Sequence, residues 1–213
     1  MKNLVVVAHP DDEVFAMAGT ISKKIGSGEQ VHIVYCAQRV VGNHIDPKRR
    51  QINERSIEEV CYFLGCTYTL LPLSDEKLYG PNFIRLINFI ETQVDGVKPT
   101  HLWTHWGEDF NQDHRAVSEA CEIATRRGSV PNVIHFEVPS ATENSPRQFS
   151  PNLYVNLSEE NMRAKDFSIA KYKSELTEFR NFDTATKYAA YRALQGGASW
   201  KFAEAFKIVR FSG

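Results

Sequence analysis

The sequence predicts an α/β fold: a Rossmann-like open sheet, mainly parallel, with helices on both faces and a C-terminal helix-and-strand extension. Two observations carry this reading. Short apolar runs alternate with segments of helical periodicity along the chain. The first run, Leu4-Val5-Val6-Val7-Ala8, is apolar without a break, as a strand covered on both faces must be. No clear domain boundary, repeat or low-complexity segment interrupts the alternation, so the 213 residues read as a single domain.

The elements follow in order. After strand one, Val14, Met17, Ala18, Ile21 and Ile25 recur at helical spacing, and Gly26 and Gly28 close that helix. Residues 31–37 form strand two, and a polar stretch around 42–48 leads into a helix ending at Leu64-Gly65. Strand three is 68–73. Phe83, Ile84, Ile87, Ile90 and Val94 share a face of the next helix, which Asp95-Gly96-Val97-Lys98-Pro99 stops. Residues 100–104 form strand four, and a polar loop then leads to a helix with Ala116, Val117, Ala120, Ile123 and Ala124 on one face. Residues 133–136 form strand five. The stretch 141–152, rich in Ser, Pro and Asn, is a long loop and a wall of the site rather than a linker. Helices over 160–176 and 184–194, then Gly196-Gly197 and a closing strand near 205–211, complete the chain.

Composition narrows the function classes. Lys plus Arg number 25 against 26 Asp plus Glu, a net charge of -1, so no basic field points to nucleic acid. The chain shows no signal peptide and no apolar stretch of membrane-spanning length, which places the protein in the cytoplasm by default. Cys36, Cys61, Cys66 and Cys121 lack metal-site spacing and read as small, reduced core residues. No Gly-x-Gly-x-x-Gly and no phosphate-binding Gly-rich loop calls for a nucleotide cofactor. Ser140 and Ser174 have no nucleophile-elbow context. Lys48, Arg49, Arg50 and Arg55 cluster at the start of the second helix, and a solvated face accounts for them better than a phosphate grip.

Chemistry concentrates at two strand-to-helix junctions. Ala8-His9-Pro10-Asp11-Asp12-Glu13 follows strand one, in the turn that opens into the ligand crevice of a parallel sheet. His9 and Asp12, three residues apart across a helix start, can reach one point, and imidazole with carboxylate suits zinc. Asp11 points elsewhere, as a general base for metal-activated water must. The competing reading makes these carboxylates helix caps. His114 sits at the second junction, after Glu108-Asp109-Phe110-Asn111-Gln112-Asp113, and if strands one and four are neighbours the two junctions meet. Two histidines and one carboxylate then surround one ion, with coordination positions left open. His105, at the end of strand four, is near enough to serve the site, while His32, His44, His101 and His135 read as structural or surface residues.

His9-Pro10-Asp11-Asp12-Glu13 together with Asp109-Phe110-Asn111-Gln112-Asp113-His114-Arg115 closely resembles the paired motifs of the PIG-L/LmbE-like zinc-dependent N-deacetylases. Phe136-Glu137-Val138-Pro139-Ser140, Phe149-Ser150-Pro151-Asn152-Leu153-Tyr154, Lys171-Tyr172-Lys173-Ser174-Glu175 and Ala203-Glu204-Ala205-Phe206 resemble later family signatures, in the expected order. The resemblance implies removal of an acyl group, usually acetyl, from an acetamido sugar, sugar-nucleotide or sugar-containing natural product. It implies zinc on His9, Asp12 and His114, with Asp11 as general base; Asp109 and Asp113 are the next candidates for that role. Many relatives carry a histidine where this chain has Asn111, so the donor to the oxyanion is Asn111 or His105. Arg55 and Glu58 resemble a polar pair near the sugar pocket of some relatives.

Three other readings stay open: a two-histidine, one-carboxylate iron(II) oxygenase, a deformylase or amidase acting on a non-sugar amide, and a catalytically silent sugar-binding module. The presence of ligands and base together disfavours the last. The partner is a small molecule, and the oligomeric state is open, a homo-oligomer included.

Overall fold

Leu4 to Ala8 are completely buried, and their side chains divide by parity. Val5 and Val7 enter one hydrophobic core, and Leu4, Val6 and Ala8 enter a second on the opposite face of the sheet. The computed structural model describes residues 1–38, 40–41, 44–45, 47–75, 77–197 and 199–212. Its elements run β1 (Lys2–Val7), α1 (Asp12–Gly26), β2 (Gln30–Gln38), β3 (Val40–Val41), β4 (His44–Ile45), α2 (Pro47–Leu64), β5 (Thr67–Ser74), α3 (Pro81–Val97), β6 (His101–His105), α4 (Gln112–Ala124), β7 (Asn132–Phe136), β8 (Leu153–Leu157), α5 (Glu159–Ile169), α6 (Phe182–Gly196) and β9 (Phe202–Arg210).

Seven strands form the main sheet in the order β5-β2-β1-β6-β7-β9-β8. The first five of these run parallel, and β9 runs antiparallel between β7 and the edge strand β8. Residues from α1, α2, α5 and α6 fill the core on one face, and those from α3 and α4 fill the other. The predicted class is thus present, with strand one between β2 and β6, the strand expected as the fourth.

Two differences from the sequence reading have physical causes. The helix expected over 160–176 ends at Ile169, and a short 3-10 turn at Lys173–Glu175 follows. The break lets the Tyr172 ring enter the core, where it is 1% exposed. β8 was not expected as a strand; it is a half-buried edge strand beside Pro151, whose alternation is weak. Part of the polar stretch at 42–48 lies outside the described residues. All four cysteines are free, three of them buried. Among the described residues no helix is long and apolar enough to cross a membrane.

α1 is kinked at Met17, whose φ of -150° and ψ of 20° are not helical. The bond lost there is replaced by charged side chains from the C-terminal part of the chain. The Phe15 carbonyl accepts from the Lys165 ammonium at 2.7 Å, and the Gly19 and Thr20 N–H groups donate to Glu204 at 3.2 and 2.7 Å. Lys165 and Glu204 pair at 2.6 Å with their side chains 3% exposed. Removing one partner would leave a buried charge uncompensated. Lys165→Met should therefore lower the unfolding free energy by about 3 kcal/mol or more, read from the urea midpoint. Adding Glu204→Leu should recover part of that loss, because the orphaned carboxylate goes too.

Candidate metal centre and active site

The turn between β1 and α1 is held in an unusual backbone shape. Asp11 has φ 111° and ψ -25°, a left-handed conformation that is strained for a residue with a Cβ and is found most often at functional sites. Its N–H donates to Glu13 Oε2 at 3.0 Å. Glu13 is fully buried and also accepts from the hydroxyls of Tyr35 at 2.9 Å and Tyr172 at 2.8 Å. Burial pushes the Glu13 carboxyl up to about 7 against the pull of those bonds. This carboxylate braces the turn from below. Asp11 makes no side-chain cap on α1; its Oδ1 lies 3.0 Å from the Arg180 guanidinium. Asp12 Oδ2 accepts from the His9 N–H at 2.8 Å.

The loop from β6 to α4 is tied down by side chains too. Asn111 caps α4, its Oδ1 accepting from the Asp113 N–H at 2.8 Å. Asp109 accepts from the Asn111 N–H at 2.9 Å and from the Thr142 hydroxyl at 2.5 Å, and its Oδ1 lies 3.1 Å from His114 Nδ1. The other ring nitrogen of His114 is 3.3 Å from Asp12 Oδ1. His9 places Nδ1 3.4 Å from Asp12 and Nε2 3.1 Å from Asp113.

His9, Asp12 and His114 each offer a ligand atom within 4.8 Å of the others. Asp12 and His114 are buried, whereas the His9 side chain is 22% exposed, so the cluster opens on one side. Burial alone would raise the Asp12 carboxyl, but the charge and hydrogen bond of His114 and the bond from His9 hold it well below the ordinary range. Burial pulls His9 down, yet hydrogen bonds and charge from Asp113 and Asp12 push it up to about 10. His114 is raised in the same way by Asp12 and Asp109, against burial. The cluster thus calls for positive charge, and two imidazoles with one carboxylate fit a divalent transition metal with positions left open. Asp109 supplies the carboxylate that such a ligand histidine ordinarily has on its other nitrogen. Beside the cluster, burial lifts the Asp11 carboxyl to about 8, although Arg180 opposes it.

A cavity of about 300 Å³ opens over these groups. His9, Asp11, Asp12, Asn111, Asp113 and His114 all line it, so six of the residues singled out in the sequence come together. Four do not line it, Asp109 among them, which stands beside His114 Nδ1. His105 is completely buried, its Nε2 accepts from the Ala8 N–H at 2.8 Å, and its ring stacks on His114 with centroids 3.9 Å apart. It supports a ligand ring instead of facing a substrate. Arg55 and Glu58 lie on the exposed side of α2, where Arg55 pairs with Glu59 at 3.0 Å. Arg50 likewise pairs with Glu54, so both arginines belong to a solvated face.

Other residues complete the wall without having stood out in the sequence. Arg180 reaches Asp11, donates to Ser140 Oγ at 3.3 Å and lies over the Phe15 ring at 4.4 Å. Glu175 pairs with Arg49, and Asn53 and Asp75 also line the cavity. Glu175 lies in one of the later signatures; Arg180, Asn53 and Asp75 carry no local signal.

The family model for PIG-L, GlcNAc-PI de-N-acetylase, matches residues 4–125, which include both junctions. No curated protein sequence matches the chain. Among solved structures, GalB, the 4-carboxy-2-hydroxymuconate hydratase from Pseudomonas putida KT2440, aligns with a TM-score of 0.79 at 18% identity over 100% of this chain and 98% of that one. The zinc inhibited form of teicoplanin deacetylase Orf2 aligns at 0.77 and 18% identity, covering 99% and 98%. N,N'-diacetylchitobiose deacetylase from Pyrococcus horikoshii aligns at 0.77 and 16% identity, covering 98% and 84%. At such identities these likenesses show a common fold, shared by deacetylases and a hydratase alike. The match across both junctions carries more: the chain belongs to the PIG-L family.

Proposed function

We propose that the protein is a metal-dependent amidohydrolase that removes an N-acetyl group from a sugar-related amide, the whole chain working as one catalytic unit. The observation that supports this best is Asp11: a cavity-lining carboxylate beside the His9, Asp12 and His114 cluster but outside it, held by Arg180 at 3.0 Å. Zinc suits the donor set, and a metal bound there supplies Lewis acidity that polarises the amide carbonyl and acidifies water. Asp11 takes a proton from the water that attacks the carbonyl carbon. It returns that proton to the nitrogen as the C–N bond breaks, leaving acetate and a free amine. Arg180 keeps the Asp11 carboxylate in place between these two transfers. Asn111 has its oxygen committed to the helix cap, which leaves its amide N–H group for the oxygen that gains charge. His105 is not needed for that step.

Incubating the protein with N-acetylated sugars in water labelled with heavy oxygen should put the label in the released acetate. A strict requirement for molecular oxygen, or acetate without label, would overturn hydrolysis and favour an oxygenase.

Asp11→Asn is well suited to separate the roles, since asparagine tolerates the left-handed backbone at this position. The variant should bind zinc as the wild type does and lose turnover by at least about a hundredfold. Loss of metal along with activity would make Asp11 a ligand.

Asp109→Asn should weaken zinc binding by about ten- to a hundredfold, measured by competition with a chromophoric chelator, because His114 loses the carboxylate beside Nδ1.

A further inference from the structure

Asn53 is 4% exposed, its Oδ1 has no hydrogen-bond partner among the described residues, and it lines the cavity. A buried acceptor left unsatisfied is unfavourable, and at a cavity wall the missing donor is a hydroxyl or N–H group of whatever fills the space. Besides the two histidines, the charged side chains lining that cavity among the described residues are five carboxylates, Asp11, Asp12, Asp75, Asp113 and Glu175, and one guanidinium, Arg180. Arg180 is engaged by Asp11 and Ser140 through its two terminal nitrogens, and only its Nε lacks a partner among the described residues. Even with a divalent ion on His9, Asp12 and His114, these five carboxylates outnumber the positive charges at the wall, so a phosphate group would enter against like charge in a partly desolvated space, whereas hydroxyl groups would find acceptors on several sides.

Building on the deacetylase reading, we infer that the cavity selects an uncharged or cationic polyhydroxyl amide, a free sugar or glycoside, over its phosphate ester, with Asn53 accepting a hydroxyl hydrogen of the sugar. Asn53 is a specificity residue that positions substrate and takes no part in bond breaking. The carboxylates set the sign of charge that is admitted.

The test compares methyl glycosides of N-acetylglucosamine and N-acetylgalactosamine with the corresponding 1-phosphates, in the wild type, Asn53→Leu and Asn53→Asp. The preferred glycoside should show a KM at least about tenfold lower than its phosphate. Asn53→Leu should raise the glycoside KM by about tenfold and leave kcat within about twofold, the signature of a lost hydrogen bond made equally in ground and transition states. Asn53→Asp keeps an acceptor, so it should restore the glycoside KM and widen discrimination against the phosphate. Equal use of glycoside and phosphate, or an unchanged KM in Asn53→Leu, would overturn the inference. Calorimetric binding of the deacetylated methyl glycosides and deacetylated 1-phosphates requires no turnover and decides the selection separately. If none of the acetylated compounds releases acetate, the deacetylase reading fails, and a preference for the glycosides in calorimetry still supports the cavity assignment. Tighter binding of the phosphates, or binding of neither class, would overturn it.

Discussion

The parallel pairing of β1 with β6 is the constraint on which the rest of the site depends. Asn3, Leu4 and Val5 stand opposite His101, Leu102 and Trp103, so the two strands end at the same level and release their loops side by side. Neighbours in the sheet that are remote in sequence create a crevice at their carboxyl ends, because the connections leave in opposite directions. One loop delivers His9, Asp11 and Asp12, and the other delivers Asp109, Asp113 and His114. His105 locks the two together from beneath, accepting from Ala8 of the first loop while stacking on His114 of the second. A shift of this pairing by one residue would turn alternate side chains to the wrong face and dissolve the cluster.

What was legible in the sequence was whatever is local. The alternation of apolar runs and helical segments predicted the parallel sheet, and the contiguous run His9 to Asp12 exposed half the cluster, because a short turn leaves its side chains few directions. His114 needed one further step, the neighbouring of two strands. The misplacements have equally plain causes. His105 sits at a strand end, and sequence proximity does not tell whether a side chain there meets the crevice or the core; parity and packing do. Arg55 lies two residues beyond Asn53, about 200° around a helix, so the face of α2 that brings Asn53 to the cavity turns Arg55 to solvent. Arg180 stands in a loop before α6 with no periodic pattern about it, and tertiary contacts, Phe15 beneath its guanidinium and Ser140 beside it, place it against Asp11.

The last third of the chain reads as an extension in sequence but acts as scaffolding for the first turn. The family model ends at residue 125, yet Thr142, Lys165, Tyr172, Arg180 and Glu204 all lie beyond it and all reach back to the two junctions or to α1. The reason is electrostatic. Asp11, Asp12, Glu13, Asp109 and Asp113 are each no more than 4% exposed, and burial so complete pushes a carboxyl toward its neutral form unless donors or cations oppose it. The two loops carry the acids; the C-terminal region carries hydroxyls and cations that answer them. Glu13 is served by Tyr172 together with Tyr35 of β2, Asp109 by Thr142 and Asp11 by Arg180. A strained residue such as Asp11 persists only where its surroundings leave it no alternative. Its N–H is bound by Glu13, its carboxylate by Arg180, and α1 behind it is bent to a shape that Lys165 and Glu204 maintain. Precision at the reacting groups therefore comes from residues more than a hundred positions away, and a chain truncated at the end of the family match would keep the donors and lose the geometry that makes them a site.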